Sequence, residues 1–238
     1  MDVVSAAAQL TAELQSLGTP ARAASERAYL KSDLTHFGTS VPDTRATVKR
    51  FVKANPALTH DELIALCREL WSAPVHERRM AVVELLVARQ RLLVATDIEW
   101  IEQLLRESKT WALVDELARQ IVSGMVMADL SLLTTLDRWL GDDDFWVRRS
   151  AVLGLSKPLR EGRELDRFFR YADELLAEKE FFIRKALGWI ARETGRRHPE
   201  EVAAWLRRNL DRMNGVTIRE AVKYLPDGAA LLAAWKAR

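Results

Sequence analysis

Five positions in this chain, Arg79, Asp115, Arg149, Lys185 and Glu220, recur at gaps of 36, 34, 36 and 35 residues. Each lies in a similar local string: VHERRMAVVEL, TWALVDELARQ, FWVRRSAVLGL, FFIRKALGWIA and VTIREAVKYLP. A unit of this length cannot bury its apolar face alone. It must stack on its neighbours, and equivalent positions then line up along one surface of a helical solenoid. Apolar residues recur at helical spacing, as in Leu63, Leu66, Leu70 and Val82, Leu85, Leu86, and nothing alternates with the period of a strand.

Helix punctuation agrees with this reading. Thr59-His-Asp-Glu62 and Thr96-Asp-Ile-Glu99 have the capping-box form ahead of apolar runs. Pro74 and Pro199 suit first helical turns, the second followed by Glu200 and Glu201. The expectation is about twelve helices in antiparallel pairs. The unit is shorter than the roughly 40–47 residues of HEAT or armadillo repeats and lacks the TPR signature, so the fold class is all-α and HEAT-like. No polar linker interrupts the period. A single domain over residues 1–238 is expected, with a helical cap over about 1–55 and regular repeats over about 56–238.

Composition excludes several functions. No run of about 18 apolar residues exists, so no membrane partner is expected. The N-terminus lacks a basic region, which argues against a secretory signal and for a cytoplasmic protein. Cys67 is the single cysteine and sits in an apolar stripe. With four scattered histidines, His36, His60, His76 and His198, neither a zinc site nor any other cofactor is expected. Net charge is +2 overall, but residues 144–223 carry 18 Lys/Arg against 13 Asp/Glu. A basic C-terminal part suits either a polyanion or an ordinary solvated surface.

The row itself carries the chemistry. Asp115 follows Trp111 by four residues, so the two share a helix face, and Trp189 follows Lys185 by the same step. Cations with aromatics suit a phosphate backbone and exposed bases. Glycoside hydrolysis normally needs two carboxylates. Asp115 has no evident partner acid, since Glu116 points about 100° away on a helix. One carboxylate suffices when the leaving group already carries positive charge, as an N-alkylated purine does. The same spacing also suits a ladder of hydrogen bonds between repeats, and the residues alone leave both readings open. Trp71, Trp100, Trp139, Trp205 and Trp235 are assigned to the core.

RAYLKSDLTHFGTSVPDTR, RELW, KTWALVD, DDFWVRRSAVL, KEFFIRKALGWIARE and IREAVKYL together resemble the DNA alkylation repair family of HEAT-like DNA glycosylases, the AlkD type. The resemblance implies a concave DNA-binding face. It also implies release of cationic alkylated purines such as 3-methyladenine and 7-methylguanine from duplex DNA, without base flipping, as the first step of base excision repair. A non-catalytic HEAT-repeat DNA-binding protein is the alternative. By the resemblance, Asp115 is the catalytic aspartate and Trp111 and Trp189 are the indoles at the lesion's sugar. Tyr29 lies near the lesion, and Arg149 meets the DNA backbone. Arg148, Lys157, Arg184 and Lys185 are further phosphate candidates from their place beside the row. Ala112-Leu113 departs from the family pattern, where relatives can carry another tryptophan and a polar residue. The expected partner is alkylated double-stranded DNA, bound by a monomer without an obligate protein partner and nucleoid-associated when bound.

Overall fold

Thr59 opens its helix as the sequence predicts: its side chain accepts from Glu62 N while the Glu62 side chain accepts from the Thr59 backbone. The computed structural model describes all 238 residues, and every extended element in it is helical. Internal packing divides the chain into two units, Met1–Ile121 and Val122–Arg238.

The first unit comprises α1 (Val3–Leu17), α2 (Pro20–Leu30), α3 (Val41–Ala54), α4 (His60–Ser72), α5 (His76–Ala88), α6 (Ile98–Ser108) and α7 (Trp111–Glu116). α1 packs on α3 and α4, α3 and α4 on α5, and α5 on α7. The α4 and α5 stripes, including Leu63, Leu66, Leu70, Val82, Leu85 and Leu86, are wholly buried, each contributing roughly 1.5–3 kcal/mol of apolar transfer. Cys67 lies among them, and burial pushes its thiol pKa up, consistent with an inert packing residue.

Two helix starts differ from expectation. Pro74 lies before the N-cap Val75 and its carbonyl accepts from Thr35 N, so it terminates a loop contact and does not enter the first turn. The second capping box is not used. α6 starts at Ile98, and Asp97 turns back to accept from Val94 N and to meet His60.

The second unit comprises α8 (Ser123–Ala128), α9 (Leu133–Leu140), α10 (Phe145–Leu153), α11 (Ser156–Arg160), α12 (Leu165–Leu175), α13 (Phe181–Gly195), α14 (Pro199–Arg208), α15 (Gly215–Ala221) and α16 (Gly228–Lys236). The helices are more numerous and shorter than expected, because short 3-10 turns split several apolar runs. Pro199 occupies the first turn of α14 as predicted. α9 packs on α10, α10 on α13, and α13 on α14 and α15. The α13–α15 approach requires Gly188, where a Cβ would come within 2.7 Å of the Glu220 Cβ and 2.8 Å of the Thr217 carbonyl. Asp137 on α9 ties α12 through Arg167, Arg170 and the Tyr171 hydroxyl. Partial burial opposes its ionisation, but those hydrogen bonds outweigh it and hold the carboxyl at about 2.

Candidate functional site

In the first unit, the loop between α6 and α7 sets up the aromatic part of the site. Lys109 adopts the left-handed conformation (φ 48°) and ends α6, and the Thr110 side chain then accepts from Ala112 N to start α7. Trp111 is thereby the first helical residue, half-buried, with its indole edge-to-face with Tyr29 at 6.0 Å. Tyr29 stands near the end of α2, a helix with no buried residue, and is 73% exposed.

The two rings open onto a cavity of 240 Å³ whose wall includes Glu26, Arg45, His76, Glu84, Ala112 and Glu116. Ala112 and Glu116 are four apart and share the lining face of α7. Arg45 is committed to Glu84 through a bidentate pair, Nε at 3.1 and 3.0 Å and Nη2 at 2.8 Å. Three carboxylates against one paired cation leave the cavity acidic, a field that favours a cationic guest. Sequence reasoning set Glu116 aside as pointing away from Asp115. The structure places it with Trp111 in this wall, and helix arithmetic from Ala112 was the signal available for it.

Asp115 lies one turn after Trp111 and is partly exposed. Directly after Glu116, Leu117–Val122 wind as a π-helix, a distortion that recurs at functional sites. The wider turn is not visible in a 3.6-residue pattern.

The second unit resolves the row into two hydrogen-bonding jobs. Arg148 donates to the Asp142 and Asp143 carbonyls and pairs with Glu178, and Arg184 donates to the Glu178 carbonyl. Each arginine thus fastens the start of its helix to the segment before it. In the first unit Arg78 does the same to Leu70 and Glu69. The next residue reaches forward: Arg149, only 2% exposed, donates to the Phe182 carbonyl, and Lys185 pairs with Glu220 at 2.9 Å. Arg79 likewise donates to the Glu107 carbonyl at 2.7 Å. The hydrogen-bond ladder left open by the sequence is therefore present. Lys157 is half-buried at the start of α11, its backbone donating to Ser123 Oγ, and burial with Arg160 lowers its pKa.

One face of α13 remains accessible. Lys185, Trp189, Arg192 and Arg196 follow at steps of four, three and four, a single helical stripe, and all are partly or fully exposed. The exposed Tyr224 ring lies under Arg196 at 3.9 Å and Arg192 at 6.0 Å. Lys185, Arg192 and Lys223 surround the one buried carboxylate of Glu220, leaving an excess of cations. Burial first, then Lys223, Arg192 and Arg149, hold the Lys185 ammonium below the ordinary lysine value. Arg192, Arg196, Lys223 and Tyr224 were missed from sequence; stepping by helical turns from Trp189 would have found the arginines.

The tryptophans divide into a buried set and three that keep exposed surface. Trp71, Trp100, Trp139 and Trp205 are buried as expected, and Trp71 and Trp205 satisfy their N–H groups on Glu107 and Asp173. Trp146 is also core. Trp235 is a correction: it is only half-buried, at the chain end, with its N–H on the Met213 carbonyl. Trp111 and Trp189 are the other two that keep exposed surface.

The histidines are not all scattered. His36 and His76 stack at 4.6 Å and 10°, and Glu26 Oε2 lies 3.7 Å from His36 Nδ1. A folded loop makes this contact between residues 40 apart in the chain, which is why spacing did not reveal it. Burial, then His36 and Arg79, depress His76 to about 4.

The sequence profile of a family described as DNA alkylation repair enzyme matches residues 10–225. Among solved structures, the chain is similar to a predicted DNA alkylation repair enzyme from Enterococcus faecalis. Identity is 24% and the TM-score 0.78, with 88% of this chain and 97% of that chain covered. It is also similar to AlkD2 from Streptococcus mutans, at 17% identity and a TM-score of 0.61, over 85% of this chain and 99% of that one. At these identities the two structures speak to the fold alone, which is the all-helical repeat type expected. No curated protein matches the chain.

Proposed function

This chain belongs to the DNA alkylation repair enzyme family, and from that premise we propose that it is a DNA glycosylase releasing cationic alkylated purines, 3-methyladenine and 7-methylguanine, from duplex DNA. The observation that carries the reading is the pairing of exposed Tyr29 with half-buried Trp111 over an acidic cavity, with Asp115 one turn beyond Trp111. An N-alkylated purine bears positive charge. As its glycosidic bond breaks, the electron pair goes to the base, which departs neutral and needs no general acid. Positive charge then develops at the sugar, where the Asp115 carboxylate stabilises it and orients water. Water attacks C1′ and loses a proton, leaving an abasic site. The Trp111 face adds roughly 0.5–2 kcal/mol of cation attraction.

The α13 stripe supplies cations and aromatic surface for the phosphate backbone, Lys185 and Trp189 among them. The roles assigned to Arg149, Arg148, Arg184 and Lys157 are secondary in this reading, because the three arginines already hold backbone carbonyls and Lys157 is half-buried. A non-catalytic duplex binder is the second reading, favoured by the same stripe, which needs no acid to hold DNA.

The test is chromatography of free bases after incubation with methylated duplex DNA and no added metal. Release of 7-methylguanine or 3-methyladenine supports the glycosylase. Salt-sensitive binding with no release supports the second reading.

A further inference from the structure

We propose that Glu26, His36 and His76 form a binding site for a divalent transition ion of the zinc type, in the wall of the Tyr29–Trp111 cavity. One ligand atom from each of the three residues lies within 4.8 Å of the other two. His36 has a side chain only 1% exposed, and His76 is 3% exposed. Both His36 nitrogens, His76 Nδ1 and Glu26 Oε2 are buried without a hydrogen-bond partner. Buried polar atoms left unsatisfied are costly, and native interiors rarely leave them so. A bound cation satisfies one atom of each residue at once.

The surrounding backbone is built to hold the arrangement. Thr35 N donates to the Pro74 carbonyl and His76 N to the Thr35 carbonyl, a parallel bridge that brings residues 35 and 75 side by side. One residue further along each strand of that bridge come His36 and His76. The buried Glu77 carboxylate then accepts from Phe37 N, Gly38 N and Thr39 N at 2.9, 2.6 and 3.2 Å, fixing the loop that carries His36. Gly38 (φ 82°) is required there, since a Cβ would meet the Thr19 carbonyl at 2.2 Å. Such outer contacts orient ligating side chains in metal sites.

Two imidazoles with one carboxylate select a borderline ion over magnesium or calcium, which prefer all-oxygen shells. Bonds of about 2.0–2.2 Å place tetrahedral ligand atoms about 3.4 Å apart. The Glu26–His36 pair, at 3.7 Å, is nearly there. The widest separation closes by about 1.4 Å, within reach of a rotamer change of Glu26, whose other oxygen pairs with Arg22 at 3.6 Å. Besides His36, the cation acting on His76 is Arg79, which is already held by the Glu107 carbonyl and the Trp71 ring at 4.8 Å. Three protein ligands leave at least one coordination position for water. Glu26 and His76 both line the cavity, so that position is reachable from it.

The test uses the full-length protein without DNA, so it is independent of the glycosylase reading. After stripping with a chelator, Zn²⁺ is titrated calorimetrically and Co²⁺ by its visible ligand-field absorption. One ion per chain is expected, with the intense absorption of a four-coordinate Co²⁺ site. Glu26→Gln, which alters no core packing, is expected to weaken binding by about tenfold or more, as is His76→Ala. In the wild type, imidazole NMR signals of His36 and His76 should shift on Zn²⁺ addition. No ion bound at stoichiometric level would overturn the proposal. So would binding that persists in Glu26→Gln and His76→Ala but is lost in His60→Ala, which would place the ion at the exposed His60–Asp61–Asp97 cluster.

Discussion

Tyr29 from α2 and Trp111 from α7 meet edge to face at 6.0 Å, although α2 buries none of its residues. An aromatic pair of this kind contributes about 0.5–1.5 kcal/mol beyond area burial, too little to explain leaving Tyr29 in water. Trp111→Ala is expected to lower kcat/KM for 7-methylguanine release about 3–30-fold, the range of one lost cation–aromatic contact. Trp111→Phe should recover part of it. Equal rates for Trp111→Ala and the wild type would remove the indole from the site.

Ala112 bears on substrate size. It lines the cavity, whereas its neighbour Leu113 is wholly buried. Ala112→Trp fills open space, so thermal stability should hold within about 1 kcal/mol. Release of bulky alkyl adducts should fall by about tenfold more than release of methylated bases. Parallel single-turnover assays on the two substrates check this, and equal losses would separate the cavity from the lesion.

Stability should depend on pH through His76. Its pKa is about 4 in the folded protein and about 6.5 when unfolded. Between those values the unfolded chain binds more protons, so stability is full above pH 6.5 and falls as pH drops toward 4, by roughly 3 kcal/mol. Urea midpoints of chelator-treated protein, compared with His76→Leu, isolate the contribution. The wild type should lose more stability than the variant over this window. Parallel curves would mean that His76 titrates normally.

Arg149 and Arg196 should behave oppositely. Arg149 is buried on the Phe182 carbonyl, whereas Arg196 is exposed over Tyr224. Arg149→Ala should cost about 1.5–3 kcal/mol of stability, the range for a charged hydrogen bond, and leave the salt dependence of DNA binding unchanged. Arg196→Ala should leave stability alone and lower the salt slope by about one. Fluorescence anisotropy across a salt series distinguishes them. A lowered slope for Arg149→Ala would give it a phosphate contact.

The repeat period, the helical class and the buried stripes of α4 and α5 were legible because they depend on local periodicity, which a sequence displays directly. So was the division of the tryptophans, apart from Trp235, whose place at the chain end lacks a covering helix. The row's ladder was legible as one of two readings; deciding required the depth of Arg149, a tertiary quantity. Glu116 was not legible beside Asp115, since neighbours on a helix diverge by about 100°; its register is set by Ala112, four residues before it on the lining face. The His36–His76 stack was not legible at all. It depends on a parallel bridge and on the Glu77 carboxylate capturing three amides, contacts no local pattern encodes.

The central claim is that one carboxylate, Asp115, stabilises the sugar cation as a charged base departs. The direct measurement is single-turnover release of 7-methylguanine from methylated duplex DNA by Asp115→Asn, with DNA affinity measured alongside. The expected result is a loss of about 10²–10³ in rate, with affinity equal to or tighter than wild type, since a negative charge near phosphates is removed. Release by Asp115→Asn at the wild-type rate would contradict the account.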